Sequence, residues 1–285
     1  PVLHGDDESA LYFTSSTEKA MGTNKSEITG TKKSDIFFSK KWAAKVGIRA
    51  SNNDLLNETV LAPRISFAYK MAKNSQFSFA YGDFTQTPNS EYIKYSNNHQ
   101  FESEKASHYI LNFQYNKNGK TFRAEAYFKD YSNLVKFNTE KATYNSVYDN
   151  TGSGYAKGLD LFWRDGKSIK NVEYWISYSY IDSERDYKNF PTQATPNFIA
   201  SNSLSIVAKY WINDWKSQVG FTNSYSSGRP YNNPNETKFM NEKTKSYNSL
   251  SFNWAYLLSQ QKILYFSVSN VLGSHNVFGY EYANN

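Results

Sequence analysis

The sequence contains no cysteine. That excludes a disulfide framework, a thiolate metal site and a cysteine nucleophile. No apolar run approaches the roughly 20 residues that a membrane-crossing helix needs, so a helical membrane protein is excluded as well. Histidine is scarce: His4, His99, His108 and His275 stand apart, with no H-x-x-x-H or E-x-x-H spacing, and ordinary loop or interface roles suit them better than a metal site. No Ser-His-Asp signature occurs. The glycines of GSGYAKG (Gly152, Gly154, Gly158) do not make a G-x-G-x-x-G turn opening a helix. Gly152 and Gly154 instead read as the point where a loop turns into a strand. The net charge is +6. Its lysines are scattered through turns and one strand face, so no nucleic-acid patch forms. The chain opens PVLHGDDESA, without the basic stretch and apolar core of a signal peptide. For an exported protein, the expectation is that the original start has been removed.

What is abundant is aromatic. Hydrophobic residues make up 39% of the 285, yet aromatics alone are 18%, with 24 Tyr, 20 Phe and 6 Trp. Such a chain is too aromatic for disorder and too polar for an apolar bundle. A transmembrane β-barrel reconciles the two, because one face of every strand is polar and the lipid face ends in aromatic girdles.

The stretch from Tyr155 to Ser183 carries the pattern best. Leu159, Leu161 and Trp163 share one face of a first arm, and Tyr174, Ile176, Tyr178 and Tyr180 one face of a second. Glu173, Ser177 and Ser179 lie opposite. A period of two means extended chain. The linking DGKSIK supplies Asp-Gly turn chemistry. Arms of about ten residues are long for a soluble strand but fit a tilted bilayer crossing.

The same hairpin repeats along the chain. Ala44, Val46, Ile48 and Ala50 oppose Lys45, Gly47 and Arg49; Ile65, Phe67, Tyr69 and Met71 oppose Ser66, Ala68 and Lys70. Phe77, Phe79 and Tyr81 follow, then Tyr109, Leu111, Phe113 and Tyr115 opposite Asn112, Gln114 and Asn116. Asn118-Gly119 is the strongest hairpin turn. Phe122, Ala124, Ala126 and Phe128 then oppose Arg123, Glu125 and Lys129, a charge spacing that suits a wet lumen and not lipid. Further strands are expected around Leu204–Ala208, 215–227, Leu250–Leu258 and Ile263–Val271. The pattern is least readable over residues 1–34. ALYFTS (10–15) reads as one strand, TEKAMGTNKSEITGTKKS as a polar loop, and Asp35–Phe38 as a strand end. Short turns fall near 40, 74, 118, 167, 213 and 260, and long loops near 56, 95, 143, 192 and 235. Short periplasmic turns alternating with long outer loops mark an outer-membrane barrel, whereas a soluble sandwich mixes lengths. The count is about thirteen strands, against the even number of bacterial single-chain barrels.

At the loop edges the residues suggest a family. YGDFTQTP (81–88), RAEAYFKDYSNL (123–134), NTGSGYAKGLDL (150–161), YWISYSYIDSERDY (174–187), SGRPY (227–231) and VSNVLGSHNVFGY (268–280) resemble, in order and spacing, the C-terminal half of the barrel of TonB-dependent outer-membrane receptors of the Bacteroidetes type. The resemblance covers roughly Trp42 to Tyr280. It implies an all-β, antiparallel transmembrane barrel, of which this chain supplies about 12–14 strands out of about 22. Residues 1–285 would then be the C-terminal part of the barrel, with the plug domain and TonB box in an N-terminal part outside this chain. The implied partners are outer-membrane lipid, TonB through that N-terminal part, a small-molecule or metal-chelate ligand and a surface lipoprotein, with no cofactor. The implied function is energy-coupled uptake of a scarce nutrient of the siderophore-iron, cobalamin or glycan class. The implied place is the Gram-negative outer membrane. A passive porin-type channel is the alternative.

Two groups of residues invite chemistry. Asp160, Glu125 and Glu173 are carboxylates on polar strand faces, close enough in the expected sheet to invite a glycosidase reading. A charge network with Arg123, Lys129, Arg164 and Lys209 accounts for them better. The loop aromatics Tyr92, Tyr95, Tyr144, Tyr148, Phe190 and Tyr231 either stack on a sugar or siderophore or form an interfacial girdle. Arg229 in SGRPY either meets an anionic ligand or shapes its loop.

Overall fold

The computed structural model describes residues 13–21, 27–96, 101–280 and 282, with side chains from residue 30 on. Thirteen strands form a single meandering sheet in chain order. They are β1 (Phe13–Met21), β2 (Glu27–Phe37), β3 (Trp42–Asn53), β4 (Glu58–Ala72), β5 (Ser75–Gln86), β6 (Glu104–Lys117), β7 (Lys120–Phe137), β8 (Tyr148–Asp165), β9 (Val172–Asp186), β10 (Asn202–Ile212), β11 (Ser217–Ser226), β14 (Tyr247–Ser259) and β15 (Lys262–Val268). One short helix, α1 (Ser90–Tyr95), and a separate ribbon of β12 (Pro230–Tyr231) and β13 (Glu242–Lys243) complete the description. Among the described residues no helix is long and apolar enough to cross a membrane.

Two compact units divide these elements. The first holds the described residues up to Asn112, with Ala126–Lys157 and Ser183–Ala194; the second holds Phe113–Glu125, Gly158–Asp182 and those from Thr195. In the first unit β2 to β5 pair antiparallel, with a register shift between Lys70 and Ala72 beside the turn. In the second, β10, β11, β14 and β15 also pair antiparallel.

The apolar faces do not pack into a closed core. Leu111 is 52% exposed, Phe128 42% and Ile206 39%, while Phe113, Leu161 and Phe252 on the equivalent faces are half-buried. An apolar stripe left uncovered on successive strands, with the charges on the other face, is what a lipid-facing wall requires. Short turns also line up within each unit. In the second unit the Gly166 N–H donates to Gly119 C=O (3.2 Å), Trp211 N–H to Asn171 C=O (2.9 Å) and Leu257 N–H to Lys216 C=O (3.0 Å). In the first, Lys70 N–H donates to Lys41 C=O at 2.8 Å. Asn118 and Gly119 both have positive φ (51° and 74°), the geometry of a type I′ hairpin turn. The six tryptophans lie in short turns or in the turn-side halves of strands. Trp42 follows the turn after β2, Trp163 and Trp175 flank the turn between β8 and β9, Trp211 precedes and Trp215 lies in the turn between β10 and β11, and Trp254 sits in the turn-side half of β14.

Several local expectations are corrected. The stretch from Thr17 to Ser34 is mostly β1 and β2, not loop. Both strands lack an apolar alternation, and it is backbone pairing of β2 along eleven positions of β3 that holds them extended. Ala10 to Tyr12 lie outside the described residues. The connection near 56 is tight: Asn53 Oδ1 accepts from Leu55 N–H (3.0 Å) and Leu56 N–H (3.2 Å), so the chain reverses over four residues. In the turn after β8 the Asp165 carboxylate accepts from the Lys167 and Ser168 N–H groups (2.9 Å each), an Asx-type closure in place of an Asp-Gly turn.

Gly152 and Gly154 are corrected as well. Both lie inside β8, and neither has a positive φ. Their role is close approach. A Cβ on Gly152 would sit 2.5 Å from Leu134 C=O and 2.6 Å from Asp186 C=O; one on Gly154 would sit 2.6 Å from Glu184 C=O. β8 is therefore gripped on both sides by β7 and β9 where a side chain would force them apart. Gly152→Ala is expected to lower the stability of the folded full-length protein by about 1–3 kcal/mol, the usual cost of overpacking. Gly166→Ala, whose Cβ would meet nothing closer than 3.7 Å, serves as the reference. Urea titration in lipid vesicles reads the difference, and equal midpoints for the two variants would refute it.

Candidate functional site

β7 and β8 run for 18 residues each, whereas a bilayer crossing takes about ten. Their short-turn ends are fixed at Lys120 and Asp165, so the surplus lies at the loop end, in 130–137 and 148–156. There the burial pattern changes. Leu134, Val135, Phe137, Tyr148 and Ala156 are buried. Strand surfaces that have left the lipid need a protein core to cover them, and the loops supply it.

That core is built from Leu56, Phe101, Val135, Phe137 and Tyr148, with Tyr92, Ile93, Tyr95 and Ala142 against it. α1 delivers Tyr92 and Ile93. The Asn89 side chain accepts the Glu91 N–H at 2.9 Å, an N-cap that explains why a helix starts in this loop. The Tyr92 ring lies 5.6 Å from Phe137 and 6.3 Å from Tyr148. Phe101 meets Tyr148 edge-on at 5.8 Å. Tyr148 is 5% exposed, and its hydroxyl donates to Thr143 C=O at 2.9 Å. Polar ties hold the surround. Ser103 N–H donates to the Glu58 carboxylate (2.9 Å), Asn133 Nδ2 to that of Glu102 (2.7 Å), and Asn150 Nδ2 to Asn133 C=O (2.9 Å).

Beside this core lies a cation–aromatic cluster of the same unit. The Arg185 guanidinium lies 4.5 Å from the Tyr131 ring centre and 5.7 Å from that of Tyr187. Tyr187 and Phe190 meet edge-on at 4.8 Å, and Lys188 Nζ stands 5.1 Å over Tyr187. Lys136 pairs with Asp186. Burial, then the nearby Glu104 and Glu91 carboxylates, push the Tyr92 phenol up; burial does the same to Tyr187. Both hydroxyls are therefore neutral hydrogen-bonding groups at physiological pH.

The seven residues singled out from the sequence separate into four settings. Tyr92 and Tyr148 belong to the buried core. Tyr95 and Tyr144 form an edge-on pair at 4.7 Å on its rim, with Tyr144 54% exposed. Phe190 joins the cation–aromatic cluster. Arg229 and Tyr231 are in the second unit, where Arg229 lies 5.4 Å from the Phe278 ring centre and Tyr231 4.7 Å from Tyr280. The Arg229 N–H donates to Thr244 Oγ at 3.0 Å, which sets the two-residue ribbon of β12 and β13. Sequence reasoning missed Phe101, Phe137, Tyr131 and Arg185. The available signal was the density of cations and aromatics in SERDYKNF. Of the three carboxylates, Glu173 is held in a charge pair: it accepts from Arg164 Nε at 2.7 Å and faces Lys209 in register. Of the histidines, His108 and His275 are described, and His4 and His99 lie outside the described residues.

The whole stretch from residue 33 to 271 matches the family model "TonB dependent receptor-like, beta-barrel". The chain belongs to the TonB-dependent receptor β-barrel family. Solved structures agree on the fold. The outer membrane transporter YddB from Escherichia coli superposes with a TM-score of 0.72 at 14% identity, over 90% of this chain and 42% of that one. The FrpB iron transporter from Neisseria meningitidis gives 0.70 at 12% identity, over 87% and 41%. A variant of the ferric enterobactin receptor from Pseudomonas aeruginosa gives 0.70 at 13%, over 86% and 39%. No curated protein matches the sequence. This receptor chain thus spans about two-fifths of the length of the solved structures it matches. As a member of the family it is an outer-membrane protein of Gram-negative cells and not an enzyme.

Proposed function

We propose that this receptor chain forms the C-terminal part of the barrel wall of a TonB-dependent transporter that imports a scarce nutrient, of the siderophore-iron, cobalamin or glycan class. The family match over 33–271 carries the reading. The plug domain and the contact with TonB belong to an N-terminal part of the same protein. Ligand capture falls to the loop-end aromatics that remain accessible. Tyr144 and Tyr95 offer ring faces and edges, Phe190 adds another beside the Arg185–Tyr187 cluster, and Arg229 with Tyr231 supplies a cation and a phenol in the second unit. Aromatic faces next to cations suit planar chelates and sugar rings alike. A surface lipoprotein would meet the receptor on these same loops.

Ferric siderophores are the first substrates to test, since the similar solved structures include an iron transporter and a ferric enterobactin receptor. Radiolabelled uptake by cells carrying the full-length protein is expected to stop when TonB is deleted. It is expected to fall about tenfold in Tyr144→Ala with Phe190→Ala, with surface abundance unchanged. Two lost stacking contacts of about 0.5–1.5 kcal/mol each account for that size. TonB-independent uptake, together with steady conductance of the purified protein in planar bilayers, would replace this reading with the passive channel.

A further inference from the structure

A recess of about 280 Å³ lies on the polar face of β2 to β6, within the first unit and away from the loop-end core. Its floor is set by register. Lys33 faces Gly47, Gly47 faces Arg64, and Arg64 faces Gly82, so one transverse row reads Lys–Gly–Arg–Gly over four strands. Each glycine leaves room for the long cation beside it to lie along the sheet. A Cβ on Gly82 would stand 3.1 Å from Arg64 Cγ, and one on Gly47 3.4 Å from Lys33 Cγ. The neighbouring rows add Lys45 and Arg49 to the same face. Asp35 is the acid among them, and it is held by Lys45 at 3.1 Å. Among the described residues, the lining of the recess contains Lys33, Lys45 and Arg64, and no carboxylate.

The recess also has a flat apolar wall. The Arg64 guanidinium lies 4.4 Å from the centre of the Phe84 ring, and the His108 ring stands 4.5 Å from Phe84 on a tilted stack. Among the described residues, Arg64 Nε is buried without a hydrogen-bond partner. A buried guanidinium nitrogen without an acceptor is costly, and carboxylate is the group that guanidinium geometry matches best. Like charges gathered on one sheet face repel unless an anion joins them.

We propose that this recess is a binding site for a small aromatic carboxylate, its ring against Phe84 and His108 and its acid group on Arg64 and Lys33. The site stands apart from the loop aromatics and does not depend on the transport reading. Its test is binding, not uptake.

The probe is 4-fluorobenzoate, followed by fluorine NMR line broadening on the purified full-length protein in detergent. Saturable binding is expected, weakened at least tenfold in Arg64→Gln and similarly in Gly82→Ala, which displaces the Arg64 side chain. Arg123→Gln, a cation that lies over Phe162 in the second unit, is expected to bind as the unsubstituted protein does. The neutral 4-fluorobenzyl alcohol is expected to bind at least tenfold more weakly. Equal broadening with Arg64→Gln, or equal affinity for the alcohol, would overturn the proposal. So would an unsubstituted protein that ignores the probe while Arg64→Gln lowers its melting temperature. That result would assign the recess to an acidic side chain of the protein's own polypeptide.

Discussion

Leu111→Arg is expected to destabilise the full-length receptor in a bilayer by about 2–4 kcal/mol, the cost of a cation placed on a lipid-facing barrel surface near the midplane. Leu111 sits mid-strand in β6 with 52% of its surface exposed. In a water-soluble protein, so exposed a site would accept arginine at little cost. The sign of the experiment therefore distinguishes lipid from water on that face. Gln114→Arg, three residues on and on the polar face, is expected to change stability by less than about 0.5 kcal/mol. Reversible urea unfolding in thin-bilayer vesicles measures both. If the two variants unfold alike, the assignment of faces is wrong along the whole ladder, because a period of two ties every strand to its neighbour.

The second large effect is expected at Tyr148. Removing a fully buried aromatic ring costs about 3–5 kcal/mol. Tyr148 touches Tyr92, Phe101 and Phe137 and ties its own loop through Thr143. Tyr148→Ala should open the loop-end core while the strands within the bilayer stay paired. Amide hydrogen exchange is the suitable probe: protection at Val135 and Phe137 should fall by more than a hundredfold, with that at Phe122 unchanged. Tyr148→Phe keeps the ring and loses one hydrogen bond, so about 0.5–1.5 kcal/mol is expected. A global loss of protection in Tyr148→Ala would mean that the loop core and the barrel wall unfold as one cooperative unit.

How legible all this was in the sequence depends on which solvent each residue meets. Strand by strand, Val46 to Ile48, Ile65 to Met71, Tyr109 to Tyr115 and Leu204 to Ile206 alternate because one neighbour is hydrocarbon and the next is water. That contrast is the strongest signal a strand can carry. β1 and β2 lack it, and their Lys, Thr and Ser alternate with one another, so only pairing with β3 reveals them. The signal also ends where β7 and β8 leave the bilayer. Leu134, Val135 and Phe137 break the alternation, since residues on both faces are covered by loops there. For the same reason Tyr92 and Tyr148 looked like ligand-facing aromatics. A tyrosine in a loop reads alike whether it covers a core or meets a solute, and what decides the matter is the packing of Phe101 and Phe137 against both, which no sequence pattern announces.

The one-ended placement of tryptophan has a spectroscopic consequence. With Trp163, Trp175, Trp211 and Trp215 of the second unit in or beside its short turns, the intrinsic emission of that unit is weighted toward one boundary of the bilayer. Spectral shifts during assembly in vesicles would therefore time the arrival of its hairpin tips more than that of its loops. Collisional quenchers confined to one aqueous compartment would read which way round the protein has inserted, with no label attached.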